Sequence, residues 1–342
     1  MTAPPPVRVG VLGCADVARR RTLPALARCV GAELAAVASR SPAKADRFAA
    51  EFGCRAVPGY QALLSDEDID AVYVALPTGM HAEWAARALM AGKHVLVEKP
   101  MVVNTAEASA LCDLAHANGL VLMENRMFAE HPQHRVVRDR VESGAIGDVQ
   151  VFSAAMAIPP RPVDDIRYRR DLGGGALLDV GYYPVHAAMM FLGRRLRVVG
   201  ATLRTDPFTG VDVAGTALLE SESGVPAHLT LGFEHAYRAG YELWGSAGRL
   251  RAERAFTPPP DTAPPLWFDG PDGTSPVDAP ACDQFARVLE RFAGAVRGYV
   301  DWRAALRTAV DGIRLITAIR AAATRPLHGR YSSAIGAGGP VR

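Results

Sequence analysis

Two polar side chains in this chain end or follow stretches built to hold them in place: Lys99 and Tyr183. Lys99 closes the run Lys93-His94-Val95-Leu96-Val97-Glu98-Lys99-Pro100. Its apolar centre reads as a short buried strand, and Pro100, without an N–H and with φ fixed, stops it. A lysine at the carboxyl end of a strand in an open parallel sheet points into the crevice where such sheets bind ligands. There Lys99 is either an ammonium held over a reacting group or a surface charge paired with Glu98. Tyr183 follows Gly173-Gly174-Gly175-Ala176-Leu177-Leu178-Asp179-Val180-Gly181-Tyr182 and precedes Pro184-Val185-His186. The glycines allow close backbone approach. The spacing predicts one helix with Asp179, Tyr183 and His186 on neighbouring faces. A tyrosine there can donate a proton to a carbonyl if its pKa of about 10 is lowered, which a nearby Lys⁺ would do. The alternative is a core helix with a buried tyrosine and a capping aspartate.

The elements that must position these groups come in two styles. Val7–Gly13 reads as a strand entering a glycine turn, followed by a helix over Val17–Cys29. Strand, turn and helix N-terminus make an anion site from free N–H groups and the helix dipole. A dinucleotide fingerprint maps to Gly13-Cys14-Ala15-Asp16-Val17-Ala18, departing from its pattern at Ala15, where a methyl replaces the glycine that lets a pyrophosphate approach. The second strand, Glu33–Ala38, ends at Ser39-Arg40 rather than at the acidic residue that binds a ribose hydroxyl. Arginine pairs with phosphate through a planar fork. Ser39 and Arg40, helped by Lys44, therefore predict a 2′-phosphate and hence NADP(H); the other reading is a solvated turn before the next helix. A buried strand over Ala71–Leu76 breaks at Pro77-Thr78-Gly79, and His81 opens a helix. Leu76, Pro77, Thr78, His81, Glu98 and Lys99 thus collect at the carboxyl edge, beside the inferred nicotinamide. Alternating strands and helices to Met123 imply a doubly wound parallel sheet.

After about residue 125 strands follow one another with few helices: Asp148–Ala155, Arg197–Leu203, Gly215–Leu219, His228–Phe233, Tyr241–Gly245 and Leu250–Arg254. The expectation is an α+β domain with a large open, mostly antiparallel sheet. The chain divides as 1–125, an NADP-binding Rossmann domain; 126–330, a substrate-binding and oligomerisation domain; and 331–342, a small-residue tail. Residues 257–280 hold eight prolines and read as an irregular surface crossing. At 342 residues and a formal net charge of +2, nothing favours nucleic acid or a polybasic membrane contact. No apolar run approaches a membrane span, and the first residues lack a signal-peptide pattern, so a cytoplasmic location is expected. Five cysteines without a CxxC pair fit reduced thiols and no metal site.

Taken together these residues resemble the glucose–fructose oxidoreductase, inositol dehydrogenase and rhizopine catabolism family. Ala88–Pro100 and Gly173–Gly181 carry the likeness, supported by Gly144–Val149 and Gly245–Leu250. The resemblance implies a Rossmann domain, an open sheet that packs against a second subunit to give dimers or tetramers, and a catalytic set of Lys99, Asp179 and Tyr183. It places Arg126 and His131-Pro132 along the substrate cleft, with Arg126 also near the cofactor. Within the family the chain looks most like NADPH-dependent 3-ketoreductases acting on nucleotide-linked keto-deoxysugars of antibiotic glycoside pathways. That implies a dTDP-linked keto-deoxysugar substrate reduced at C-3. Asp179 would then orient Lys99 or a sugar hydroxyl, His186 would join the substrate contacts, and Arg126, Arg167 or one of Arg19–Arg21 would meet the diphosphate. Competing readings are a dehydrogenase of a free sugar or dihydrodiol, and a non-catalytic dinucleotide-sensing regulator.

The Ser39-Arg40 assignment is directly testable. Replacing Arg40 by Ala should weaken NADPH binding by about 10- to 100-fold, the worth of a charge-assisted hydrogen bond, while leaving NADH nearly unaffected. Fluorescence titration with both dinucleotides decides it; equal losses would remove the 2′-phosphate from this turn.

Overall fold

Val7, Val9 and Val11 are all buried, and so are their strand neighbours Gly10 and Leu12, as expected of a central parallel strand covered on both faces. This strand, β1 (Val7–Leu12), leads a computed structural model that describes residues 4–325. The expected tail, 331–342, lies outside the described residues. A π-helical stretch, Ala18–Thr22, runs into α1 (Leu23–Leu26) where a single regular helix was expected. Pro24 has no N–H to offer the Arg20 carbonyl, so the regular ladder cannot pass through it. Then follow β2 (Ala32–Ser39), α2 (Pro42–Phe52), β3 (Arg55–Pro58), α3 (Tyr60–Leu64), β4 (Ala71–Val74), α4 (His81–Met90), β5 (His94–Val97), α5 (Thr105–Ala117) and β6 (Leu122–Glu124). The six strands form one parallel sheet in the order β3-β2-β1-β4-β5-β6. The order reverses between β1 and β4, and a crevice opens beyond the carboxyl ends of strands at such a reversal.

The second half contains α6 (Gln133–Glu142), β7 (Val149–Ala157), α7 (Ala176–Asp179), α8 (Tyr182–Leu192), β8 (Arg197–Thr205), β9 (Asp212–Glu220), β10 (Pro226–Gly232), β11 (Arg238–Gly245) and β12 (Arg249–Ala252). A hairpin of β13 (Leu266–Gly270) and β14 (Gly273–Pro276) comes next, then α9 (Gln284–Val296), α10 (Arg303–Ala322) and β15 (Ala323–Thr324). The nine strands form an open sheet in the order β14-β13-β12-β11-β7-β10-β9-β8-β15. Its pairs are antiparallel except β7 with β10 and β8 with β15. The closing helices return to the first half: α9 packs on α1 and β2, and α10 on α5 and β6.

Two expectations are corrected. The proline-rich crossing contains the β13–β14 hairpin, with Leu266 paired to Ala252. Its prolines fall where strands tolerate them, Pro271 in the turn and Pro276 at the end of the exposed edge strand. Asp179 and Tyr183 do not share a helix: α7 ends at Asp179 and α8 begins at Tyr182. Pro184 cannot donate to the Val180 carbonyl, and its ring would crowd that carbonyl in a continuous helix. In α8 it sits in the first turn, where no intrahelical N–H is needed.

The halves meet closely where Gly79 faces Leu172-Gly173. A Cβ on Gly173 would stand 2.7 Å from the Gly79 nitrogen, and Gly173 has φ +78°. Gly173→Ala should therefore destabilise the protein by more than Gly53→Ala, whose site has φ +68° but open space around it. The control carries only the left-handed backbone term of about 1–2 kcal/mol. Urea unfolding of both variants checks this, and equal losses would contradict the close approach.

Candidate active site

The turn after β5 and the last residue of α7 bring Lys99 and Asp179 into contact. Lys99 Nζ donates to Asp179 Oδ1 at 2.7 Å and to the Asp179 carbonyl oxygen at 3.0 Å. The other carboxylate oxygen, Oδ2, accepts from Arg167 Nε at 2.7 Å. Arg167 Nη1 in turn reaches both oxygens of Asp165, at 3.1 and 3.2 Å. Lys99 Nζ also lies 4.9 Å from the centre of the Tyr183 ring and 5.9 Å from that of Tyr182, within cation–π range. Tyr183 is buried against Phe128 and Phe256, with ring centres at 5.6 and 5.3 Å. The ammonium of one half and the phenol of the other thus occupy one small region.

Charge states follow from this packing. Burial pulls the Lys99 ammonium toward neutrality, but Asp179 and Tyr183 outweigh it and hold its pKa above the ordinary value. Burial raises the Asp179 carboxyl, yet Lys99 and Arg167 bring it down to about 2. Arg167 is likewise held charged against desolvation by Asp179 and Asp165. Tyr183 differs from expectation. Burial raises its pKa, Lys99 opposes this without cancelling it, and the phenol stays protonated past its usual range. The arrangement supplies a fixed positive charge next to a neutral O–H donor.

The expected nucleotide-binding residues lie along the carboxyl edge of the first sheet. Gly13 has φ +99°, and a Cβ there would collide with the Ala75 carbonyl oxygen, so only glycine turns the chain here. Cys14 is buried with its thiol toward the Lys44 carbonyl, Ala15 and Val17 are half-buried, and exposed Asp16 pairs with Arg20. Ser39 is buried and its Oγ accepts from the Ser41 N–H at 3.2 Å. Arg40 and Lys44 are exposed and make no ion pair among the described residues, leaving two cations at the end of β2. Leu76, Pro77 and Thr78 are half-buried along the same edge. These residues fit a dinucleotide whose adenosine carries a phosphate.

Four of the assigned groups already have partners within the protein. His81 is buried, with Nδ1 2.9 Å from the Pro100 carbonyl oxygen and Nε2 2.7 Å from that of Leu76. It ties the ends of β4 and β5 together, and its ring nitrogens are not open to a ligand. Glu98 turns inward, where Oε1 accepts from Tyr73 Oη and Asn125 Nδ2, both at 2.5 Å, and Oε2 accepts from the Lys99 N–H at 3.2 Å. His186 is buried over the Tyr182 ring, 4.1 Å between centres, and faces Gly312 of α10. It lies four residues after Tyr182, so the helix aligns it with that inward ring rather than with Tyr183. Arg19 and Arg20 are committed to Glu51 and Asp16 on the surface. Arg126 is half-buried near Glu124, Tyr182 and His186, with Nη1 buried and unpartnered among the described residues. A cavity of about 470 Å³ behind Gly173 and Gly174 is lined by Arg170 and Arg320 but not by Lys99 or Tyr183. Sequence reasoning took Arg167 for a substrate contact and missed its hold on Asp179. The alternation of Asp165 and Arg167 two residues apart was the available signal.

Comparison with known proteins now adds a name for the architecture. The model of the GFO/IDH/MocA oxidoreductase family, with its NAD-binding Rossmann fold, matches residues 7–126, and that of the GFO/IDH/MocA C-terminal domain matches 134–251. The chain belongs to the GFO/IDH/MocA oxidoreductase family. It is 53% identical over 292 residues to a dTDP-3,4-didehydro-2,6-dideoxy-alpha-D-glucose 3-reductase of Streptomyces violaceoruber, covering 85% of each. It is 51% identical to the enzyme of the same name from Saccharopolyspora spinosa, covering 85% of this chain and 88% of that one. Among solved structures, KijD10, a 3-ketoreductase from Actinomadura kijaniata in complex with NADP and TDP-benzene, superposes with a TM-score of 0.93 at 47% identity, covering 95% of this chain and all of that one.

The Asp179 pairing sets a pH window. Its folded carboxyl, at about 2 against an ordinary 3.8, binds a proton less readily than the unfolded one. The pairing therefore supports the fold above about pH 4, and that support is lost as the pH falls from about 4 towards 2. Asp179→Asn should cost about 3–5 kcal/mol at neutral pH by leaving Lys99 buried without its counter-charge. The loss should shrink toward pH 2, which urea unfolding at pH 7 and below pH 3 measures; a pH-independent loss would assign the effect to packing.

Proposed function

We propose that this protein is an NADP(H)-dependent ketoreductase that reduces the C-3 keto group of a dTDP-linked keto-deoxysugar. The observation that carries the reading is Lys99 Nζ held by Asp179 within 4.9 Å of the Tyr183 ring. Relatives above 50% identity bear the name of that 3-reductase, and a close structural neighbour holds NADP and TDP-benzene.

When bound, the reduced nicotinamide supplies the hydride to the carbonyl carbon. The chain's own residues handle the charge that this leaves on oxygen. Lys99 presents a permanent positive charge to the developing oxyanion, prearranged by Asp179 so that little reorganisation is needed during reaction. Tyr183, a neutral phenol, gives its hydroxyl proton to that oxygen, and Lys99 opposes the effect of burial by stabilising the resulting phenolate. Arg167 keeps Asp179 ionised and aimed, so Asp179 holds Lys99 rather than taking the proton. Arg40, Lys44 and Ser39 would hold the 2′-phosphate at the far end of the crevice. The presence of Lys99, Asp179 and Tyr183 in one contact set favours catalysis over a purely sensing role.

The finer assignments belong to the same proposal. The substrate class puts the protein in the making of deoxysugars for antibiotic glycosides, in the cytoplasm. Among the described residues no helix is long and apolar enough to cross a membrane. Val199 and Trp244 stand exposed on β8 and β11, which supports assembly of a homo-oligomer through the open sheet. The 1–125 and 126–330 division is kept as cofactor and substrate portions.

Tyr183→Phe should lower kcat by about 10²- to 10⁴-fold, the usual contribution of a positioned general acid, with NADPH affinity unchanged. Consumption of NADPH against a panel of dTDP-linked and free keto-sugars, followed at 340 nm, measures both substrate class and the variant's loss. Wild-type turnover in Tyr183→Phe would move the proton donor to Lys99 or water. Activity on free sugars alone would replace the nucleotide-linked substrate.

A further inference from the structure

Two side-chain bonds cross from the end of the first sheet to the segment bearing Tyr183, among the described residues. One is the Lys99–Asp179 pair. The other lies deeper. Glu124, the last residue of β6, is paired in register with Val97 of β5, two residues before Lys99. Its Oε1 accepts from the Met101 N–H at 2.8 Å, on the far side of the Lys99-Pro100 turn. Its Oε2 accepts from Tyr182 Oη at 2.5 Å. Both partners are buried, Tyr182 completely. Tyr182 immediately precedes Tyr183, and the two rings meet edge to face at 5.6 Å. One carboxylate therefore grips the backbone that carries the ammonium and the side chain next to the phenol.

We propose that Glu124 and Tyr182 are positioning residues that set the distance between Lys99 and Tyr183. The role rests on the ketoreductase reading for its consequence but on the geometry for its existence. Asp179 cannot perform it alone. It contacts Lys99 through a flexible ammonium stem and precedes the break between α7 and α8, so it does not itself grip the Tyr182 or Tyr183 ring. Glu124 bridges two rigid points instead: a backbone N–H in the turn and a ring locked between Phe128, Tyr183 and His186. On the other side of Lys99, Glu98 binds the Lys99 N–H but anchors only to Tyr73 and Asn125 of its own half. Glu124 joins the backbone of this turn to the first residue of α8. Arg126, Lys99, His186 and Tyr183 itself are the other titratable groups facing this bond.

The test is a kinetic cycle in the full-length protein. Tyr182→Phe removes the bond and keeps the ring. It should lower kcat for keto-sugar reduction by about 10- to 100-fold, as misplacement near 1 Å does, with NADPH affinity unchanged. Glu124→Gln keeps an acceptor for Met101 and a donor toward Tyr182, and should lose much less. In a Tyr183→Phe background, Tyr182→Phe should cost less than about threefold, because the group it positions is already gone. Losses that multiply in the double variant, or wild-type kcat in Tyr182→Phe, would overturn the proposal. A readout without turnover separates this from failure of the ketoreductase reading. With ¹³C-labelled tyrosine, the Tyr183 resonance, assigned from Tyr183→Phe, should shift and titrate differently in Tyr182→Phe and barely move in Glu124→Gln. An unmoved resonance in Tyr182→Phe refutes the positioning role whatever the substrate proves to be. If Tyr182→Phe does not fold, an unmoved Tyr183 resonance and full kcat in Glu124→Ala refute it, and loss of both supports it.

Discussion

The Asp179 carboxylate, between an ammonium from one half of the molecule and a guanidinium from the other, is the interaction on which the site depends. Lys99 is nearly buried, and an isolated ammonium there would shed its proton. Asp179 keeps it charged, and Arg167 with Asp165 keeps Asp179 charged in turn. The fold supplies the pair by setting the turn after β5 against the end of α7. Each half contributes one member, so the ammonium is fixed in place and kept charged out of water only by the docking of the halves.

Burial does more than hide these groups. It raises Tyr183 and so keeps the phenol protonated, while the same dry surroundings strengthen the attraction between Lys99 and Asp179. The raised pKa makes the resting phenol a weaker acid, so proton delivery relies on Lys99 stabilising the phenolate as it forms. A fixed cation beside a neutral phenol suits proton delivery to an oxyanion. Around this pair the turn Lys99-Pro100-Met101 is held at three points by Glu98, His81 and Glu124, all buried. Polar groups that looked available for ligands are spent on backbone. The reason is that a strand end in a buried crevice leaves N–H and C=O groups that must find partners.

Much of this was legible from residue order. The first sheet, the glycine turn at Gly13, the cationic end of β2 and the candidates Lys99, Asp179 and Tyr183 follow from short patterns whose physics is local. A buried apolar run makes a strand, a glycine with positive φ makes the turn, and an arginine stands at the end of β2 where an acid would bind a ribose hydroxyl. The β13–β14 hairpin was hidden because its strands are short and edge-placed, and its prolines suggested breakage while occupying permitted positions. The division of α7 from α8 was encoded in Pro184 but outweighed by helical spacing.

Local sequence thus determined which chemical groups the protein owns and the elements that carry them: an ammonium at a strand end, a phenol on a helix, a phosphate-ready turn. Only the tertiary structure decided which of them meet. His81, Glu98 and His186 have the same side chains as active-site residues elsewhere, but their neighbours come from distant segments, and those neighbours claimed them for the interior. Arg167 and Glu124 acquired their roles in the same way, because a carboxylate or guanidinium has no direction until packing gives it a partner. The sign of the Tyr183 shift was also settled there, since desolvation depends on what surrounds a ring and no spacing along the chain records it.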